Sequence, residues 1–282
     1  MERLDIVLVK RGYVESRLQA KRLILAGAVK VNNNSKVKPG ETVSNEDEIE
    51  VKHSSRYVSR GGLKLEKALI EFNINVQDRI AIDVGASTGG FTDCLLQHGA
   101  KYVYAVDVGY GQLAWKLRQD PRVEVIDRTN IRYIDPDLFT FLPEIAVLDV
   151  SFISIKKVLP VLFQTLMIPD TIALVKPQFE AGRVHIKKGG IVDDPKVHKE
   201  LLEDLVEFVR NDYSVELMAL TFSPIYQDIA NIEYLLWFRD RDKINDDITD
   251  ISCPVYKSQY TDISDYISQV VDAAHINFSA HR

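Results

Sequence analysis

The chain reads as an α/β protein with a small α+β module in front of it, and three observations predict this. Apolar, often β-branched runs near 80–84, 101–106, 123–126, 145–149, 171–175, 214–221 and 232–238 alternate with amphipathic stretches near 90–98, 111–119, 155–166 and 195–210. That alternation predicts a mainly parallel, seven-stranded sheet with helices on both faces. The last two runs follow one another with no helical stretch between them, which predicts an antiparallel pair at one edge. Charge is also unevenly placed: residues 1–64 hold 13 basic and 8 acidic groups, a net of +5, while the rest hold 22 and 33, a net of −11. A basic small end on an acidic body suggests that the small end meets a polyanion.

With 282 residues the chain can build one large core and a small module. Its 46% hydrophobic and 27% charged composition is that of a water-soluble globular protein. No apolar run reaches the roughly 20 residues that cross a bilayer. The start, Met1-Glu2-Arg3-Leu4-Asp5, lacks the apolar core of a signal peptide. Cys94 and Cys253 lie far apart without Cys or His partners at ligand spacing, which argues against a disulfide framework or a metal site. These features point to a cytoplasmic protein with no membrane partner.

In chain order, residues 3–12 form a helix pattern with Leu4, Val7 and Leu8 on one side and Gly12 as its stop. Ser16 caps a second helix over 17–26 that ends at Gly27. In it Leu18, Leu25 and the Ala residues are expected to face inward, while Arg17, Lys21 and Arg22 share the solvent side. Strands follow at 28–32 and 48–51, around a turn at Lys38-Pro39-Gly40-Glu41. The module is expected to span 1–53, a linker 54–62, the larger domain 63–240, and a tail without assigned role 241–282. Arg56, Tyr57 and Val58 of the linker are candidates for coupling the two halves. A helix over 63–72 places Leu65, Ala68, Leu69 and Phe72 on one face, with Lys64 offset at its start.

The stretch Ile80 to Phe91 is strand, Gly-rich turn and helix start, the context in which such a loop becomes a ligand site. Asp83, Gly85, Ala86, Ser87, Thr88, Gly89, Gly90 and Phe91 are its candidate binding residues. The glycines are not spaced G-x-G-x-x-G, so dinucleotide and Walker phosphate readings lose ground. Asp107 follows Asp83 by 24 residues, near the spacing of an acid that holds ribose hydroxyls at the end of the second strand. Asp127 and Asn130, after the third strand, could flank an adenine. A nucleoside pocket with little phosphate suggests S-adenosylmethionine. Asp149 and Lys176 fall at further strand ends around the same crevice. For any one of these acids alone, a capping or salt-bridge role is as good a reading.

Two resemblances sharpen this. Arg3-Leu4-Asp5, Ser16-Arg17, Ala20-Lys21-Arg22-Leu23-Ile24, Gly27-Ala28-Val29-Lys30-Val31-Asn32, Lys38-Pro39-Gly40 and Asp47-Glu48-Ile49 together resemble the S-four RNA-binding domain. That implies RNA contacts by Arg3, Arg17, Lys21 and Arg22 and, further along, by Lys30 and Lys36. Asn32-Asn33-Asn34 stands where that family usually has Asn-Gly, and Asn tolerates the positive φ such a turn needs. In the larger domain Lys64, Asp149, Lys176 and Glu233 match the Lys-Asp-Lys-Glu set of FtsJ/RrmJ-like ribose 2′-O-methyltransferases. The motifs Tyr-Val-Ser-Arg-Gly-Gly-x-Lys-Leu, Asp-Val-Gly-Ala-Ser-Thr-Gly-Gly-Phe-Thr-Asp, Asp-Val-Gly-Tyr-Gly-Gln-Leu, Asp-Val-Ser-Phe-Ile-Ser, Val-Lys-Pro-Gln-Phe-Glu and Gly-Gly-Ile-Val are similar to the TlyA family, also known as hemolysin A.

That resemblance implies a Rossmann-like class I methyltransferase domain acting on cytidine in ribosomal RNA of the large subunit, with or without a target in the small subunit. Lys176 would then stand beside the 2′-oxygen, Asp149 and Glu233 would orient the lysines, and Lys64 would be the second cation, towards the RNA. The chain departs from the family at Ala230-Asn231, where Gly-Asn is commoner. Two other functions fit the sequence less well. A pseudouridine synthase would need an Arg-x-Asp catalytic loop and would leave the Gly-rich pocket unused, and a membrane-lysing hemolysin finds no long apolar segment.

Overall fold

The computed structural model describes residues 1–14, 16–25, 27–44, 46–51, 56–225, 231–244 and 262–280. Ala26, Ser54, Ser55, Ala230 and residues 245–261 of the tail, all covered by expectations above, lie outside the described residues. By its internal contacts the chain divides into two compact units, Met1–Arg56 and Tyr57–Arg282.

The first unit comprises β1 (Glu2–Arg3), α1 (Leu4–Lys10), α2 (Arg17–Leu25), β2 (Val29–Val31), β3 (Thr42–Val43) and β4 (Ile49–Val51). β1 pairs with β3 and β2 with β4, both antiparallel. Leu4, Leu8, Ala20, Ile24, Val29, Val43 and Ile49 share its core. The Ser16 hydroxyl accepts from the N–H of Gln19 at 3.2 Å, a cap at the third helical position. One expectation fails in α2. Leu18 and Leu25 are exposed, at 61% and 78%, because the buried stripe runs through Ala20 and Ile24, one helical turn apart, and these leucines lie off it. After β2, Asn32 and Asn33 take φ of 48° and 66°, so the turn forms without glycine.

The second unit contains α3 (Gly61–Glu71), β5 (Ile80–Val84), α4 (Gly90–Gln97), β6 (Tyr102–Val106), α5 (Trp115–Arg118), β7 (Val123–Ile126), β8 (Ile145–Leu148), β9 (Asp170–Val175), α6 (Pro177–Glu180), α7 (Pro195–Asp212), β10 (Val215–Phe222), β11 (Tyr234–Asp240) and α8 (Ile263–Ala280). The seven strands lie in the order β10-β11-β9-β8-β5-β6-β7. β7, β6, β5, β8 and β9 are parallel, and β11 is antiparallel to both β9 and β10. The antiparallel pair therefore sits at one end, with β11 inside it and β10 on the edge. Strand residues alternate between two buried faces. Ile82, Tyr104, Leu148 and Ala173 meet the core under α7 and α8, whereas Ala81, Val103, Val147 and Leu174 meet the core under α3 and α4. Covering both faces is why these strands read as continuous apolar runs.

Three expected segments differ. The 155–166 stretch is not an α-helix but a 3-10 turn, Ile155–Lys157, followed by a wider π turn, Val161–Thr165. Pro160 lies between them; it lacks an N–H and its ring clashes with the preceding turn. The 111–119 helix shrinks to Trp115–Arg118, since the Ala114 N–H is drawn to the Thr88 carbonyl at 3.2 Å. Of the expected linker, Tyr57 onward packs in the second unit. Tyr57 is 1% exposed, Val58 N–H donates to Asp93 Oδ2 at 2.8 Å, and Gly61 and Gly62 open α3. The tail also contributes: Tyr266, Ile267, Val271, Ala274 and Phe278 of α8 are buried in the α7 core.

Candidate active site

The chain leaves β5 towards β6 and β7 and returns on its other side to β8, so the ends of β5 and β8 flank the topological switch point. Open α/β sheets hold ligands there. The Asp149 N–H donates to the Val84 carbonyl at 3.0 Å, tying the two strand ends together. Gly85 makes this possible. Its φ is +87°, and a Cβ on it would lie 2.7 Å from the Asp149 carbonyl oxygen.

Two adjoining cavities open at this point and share Gly85, Ser87, Asp149 and Ser151. The larger, about 380 Å³, has apolar walls from Val106, Val108, Ile131, Phe152 and Val158 and polar groups from Asp107, Gln112 and Asn130. The Asp107 carboxylate is fixed from both sides, accepting from Ser87 N–H at 2.8 Å and Gly109 N–H at 2.6 Å. Asn130 caps a 3-10 turn through its side-chain oxygen, which accepts from Arg132 N–H at 3.1 Å. The second cavity, about 340 Å³, is polar, lined by Ser59, Arg60, Gly61, Lys64, Lys176 and Ile225 together with Ala86, Thr88, Gly90 and Phe91 of the turn.

Two ion pairs belong to this polar end. Lys176 Nζ lies 2.6 Å from Asp149 Oδ1 and donates to Ser151 Oγ at 2.8 Å. It is held at the end of β9, just before Pro177 starts α6, and is only 9% exposed. An ammonium has three donors, so these two contacts leave one for a ligand. Lys64, in the first turn of α3, pairs with Glu233 at 2.5 Å at the entry to β11. The four residues come from four different elements, and the sheet brings them to one end.

Asp83, Gly89 and Asp127, expected among the binding residues, line neither cavity. Asp83 is wholly buried. Its Oδ2 accepts from Thr92 N–H at 2.9 Å and Thr92 Oγ1 at 2.6 Å, so it fastens the start of α4 to β5. Burial pushes its carboxyl up to about 7, against the Thr92 hydrogen bonds and with help from Asp149 and Asp107. Gly89 has φ of +94°, and a Cβ there would strike Leu117 at 2.3 Å and Leu113 at 2.7 Å, so it serves packing behind the turn. Asp127 accepts from Arg118 at 2.7 Å and Gly111 N–H at 3.1 Å. Burial acts to raise its carboxyl, but these hydrogen bonds outweigh it and hold it below its ordinary value.

Ser59, Arg60, Ser151, Phe152 and Gln112 are lining residues that sequence reasoning did not single out. The motifs contain all five, but nothing in their spacing says which side chains face the cavity. Phe152 combines φ of +65° with 91% exposure, and its ring lies 5.2 Å from that of Phe179. Three Arg-x-Asp sequences occur, Arg3-Leu4-Asp5, Arg118-Gln119-Asp120 and Arg210-Asn211-Asp212. None lines the two cavities; Arg3 and Asp5 pair with each other, and Arg118, Asp120 and Arg210 are engaged by Asp127, Arg122 and Glu216.

In the first unit, Arg3 grips the buried Asp5 through Nε at 3.0 Å and a terminal nitrogen at 3.1 Å, and Arg17 reaches the same carboxylate at 3.0 Å. Arg3 and then Arg17 hold the Asp5 carboxyl down at about 2 against its burial. Asp5 was quoted only as part of a motif; it is the anchor that fixes two guanidinium groups. Lys30 pairs with Glu50 at 3.2 Å. Lys21, Arg22 and Lys36 are exposed.

Comparison with known proteins agrees with this geometry. The family model for FtsJ-like methyltransferases matches residues 57–240. The chain belongs to that family. Within the methyltransferase match lie both cavities and both ion pairs, and an S4 domain model matches residues 2–49. The chain is 57% identical over 239 residues to the Bacillus subtilis protein named "Putative rRNA methyltransferase YqxC", covering 83% of this chain and 84% of that one. It is 42% identical over 240 residues to the 16S/23S rRNA (cytidine-2′-O)-methyltransferase TlyA of Mycobacterium tuberculosis, covering 84% and 89%. A solved Streptococcus thermophilus structure named for a hemolysin superposes with a TM-score of 0.73 at 46% identity, covering 99% of this chain and 98% of that one.

Proposed function

We propose that the chain transfers a methyl group from S-adenosylmethionine to the 2′-hydroxyl of a cytidine in ribosomal RNA. The observation that carries this is the Lys176–Asp149 pair, 2.6 Å apart beside Ser151, at the junction of the apolar-walled cavity and the polar one. The larger cavity suits the adenosine part of the cofactor. Its walls are apolar, and Asp107, although fixed by two N–H groups, keeps lone pairs for a ribose diol. When bound, the cofactor supplies a methyl carbon on a sulfonium, open to in-line attack.

A ribose hydroxyl is a poor nucleophile, so the residues must favour charge on its oxygen. Lys176 would do so by directing its remaining N–H at the oxygen, where negative charge would build as the O–C bond forms and the S–C bond breaks, the thioether leaving and the hydroxyl proton passing to water. Asp149 and Ser151 orient that ammonium, and Glu233 does the same for Lys64 on the RNA side. Holding hydroxyl and methyl at attack distance supplies much of the rate. The first unit gives affinity through exposed Lys21, Arg22 and Lys36 and the Asp5-braced Arg3 and Arg17, with the paired Lys30 contributing less. The substrate class is supported by the name of the Mycobacterium tuberculosis relative. For the hemolysin reading, no helix among the described residues is long and apolar enough to cross a membrane.

The test is a map of ribose methylation in ribosomal RNA from cells with and without this chain, followed by transfer from labelled cofactor to purified subunits. Loss of 2′-O-methylcytidine at defined positions, restored by the purified chain, is expected. Identical maps would overturn the proposal.

A further inference from the structure

A cluster of buried polar groups outside both cavities has no part in the chemistry above. His198 of α7 is fully buried, and both ring nitrogens are engaged. Nε2 lies 2.9 Å from the Val192 carbonyl oxygen, and Nδ1 lies 2.9 Å from Tyr234 Oη and 3.0 Å from Nε2 of His275 on α8. A carbonyl oxygen can only accept, so His198 carries its proton on Nε2 and its Nδ1 is the acceptor. Tyr234 and His275 both converge on that one lone pair. Burial holds the His198 ring neutral, its pKa pushed down to about 4.

The position of this cluster gives it meaning. Tyr234 directly follows Glu233, and in the sheet it lies opposite Val175, the residue before Lys176. One side chain of the cluster thus sits a single residue behind each ion pair. The second branch also returns to Glu233. Asn231, two residues before it, accepts from Val192 N–H at 2.6 Å and donates to the Gly190 carbonyl at 2.9 Å. The Val192 peptide is therefore held on its N–H by Asn231 and on its carbonyl by His198. The outer end of the cluster is His275, on a helix beyond the residues that the FtsJ-like model matches.

We propose that His198 and His275 are positioning residues for methyl transfer: through Tyr234 and the Val192 peptide they fix where β11 delivers Glu233 and where β9 delivers Lys176. α8 is then a working part of the site. The inference rests on the proposed methyltransferase activity, so wild type must first show turnover, and its absence would count against that activity itself. The group to change is His275, which is partly exposed and so can be replaced without emptying the core.

His275→Ala should lower kcat about tenfold, as a small misplacement of reacting groups does, while KM for cofactor and RNA stays within about twofold of wild type. Assays run well below the melting temperature keep unfolding out of the result. His275→Gln can present an N–H donor to His198, and it should recover most of the lost rate. His198→Gln, which can still donate to the Val192 carbonyl, should be milder than His198→Leu if the latter folds. If His275→Ala keeps wild-type kcat, with or without a lower melting temperature, the cluster only packs α8 and the proposal falls. It falls equally if Gln restores stability but not rate.

Discussion

Lys176 is the residue on which the chemistry turns, and its function is separable from its place in the fold by experiment. Lys176→Ala removes a donor that works mainly in the transition state, so single-turnover methyl transfer should fall on the order of 10²-fold or more. Cofactor binding, measured by calorimetry, should hardly change. An alanine variant with wild-type rate would take the 2′-oxygen assignment with it. Asp83 makes a different, pH-dependent prediction. Its carboxyl titrates near 7 in the folded chain, above its ordinary value, because burial disfavours the charged form. The folded state then binds more protons than the unfolded one between about pH 4 and 7, so stability falls as pH rises through that window. A difference of about three pH units, at roughly 1.4 kcal/mol each, sets an upper limit of about 4 kcal/mol. Asp83→Asn keeps an oxygen for Thr92 and has no charge to bury. Melting curves from pH 5 to 8 should show it gaining on wild type as pH rises, and parallel curves would mean that Asp83 is not held near 7.

Among the elements, the segment entering α3 combines packing and site. Tyr57 is buried against Gly62, where a Cβ would meet the ring at 2.3 Å, and its hydroxyl donates to Glu66 at 3.1 Å. Two residues on, Ser59 and Arg60 line the polar cavity. Tyr57→Ala should therefore destabilise the second unit by roughly 3–5 kcal/mol, as large aromatic truncations do. Tyr57→Phe keeps the ring and should lose only about 1 kcal/mol, the worth of one hydrogen bond. Urea unfolding measures both, and equal losses would mean that the hydroxyl, not the ring, fixes the segment. In α2 the exposed Lys21 and Arg22 should each contribute roughly 0.7–0.9 to the slope of log affinity against log salt on RNA. Alanine at both positions with an unchanged slope would mark them as solvated surface.

Across the whole molecule, what the sequence made legible follows from period and chemistry. The strands are readable because most are buried on both faces and so form apolar runs, four of them followed directly by Gly85, Asp107, Asp127 and Asp149. Lys64, Asp149, Lys176 and Glu233 were readable through motifs, although only the sheet order shows that they meet. Asp83 and Asp127 line neither cavity, which sequence cannot show, because a carboxylate at a strand end looks the same whether it faces a ligand, Thr92 or Arg118. The helix over 263–280 was passed over although Ile263, Ile267, Val271, Ala274 and Phe278 recur at helical spacing. Its partner, the α7 core, is distant in sequence, so pattern alone gave it no role.

The division into two units leads to a last prediction. Every residue lining either cavity, and every member of the two ion pairs, lies in Tyr57–Arg282. That unit has 24 basic and 33 acidic groups, whereas Met1–Arg56 has 11 and 8. The protein lacking residues 1–56 should therefore bind S-adenosylmethionine within about twofold of the full chain, provided that a melt shows it folded. Its RNA affinity should fall steeply at low salt and less at high salt, because the lost contacts are to phosphates. If Arg3, Arg17, Lys21, Arg22 and Lys36 each neutralise one phosphate, the salt slope should drop by about four. Methyl transfer at saturating RNA should then recover much of the full-length rate, the defect appearing in KM. If instead the truncated protein keeps the full salt slope, cations of the second unit, Arg60 and Lys64 among them, carry the RNA, and the basic first unit has another partner.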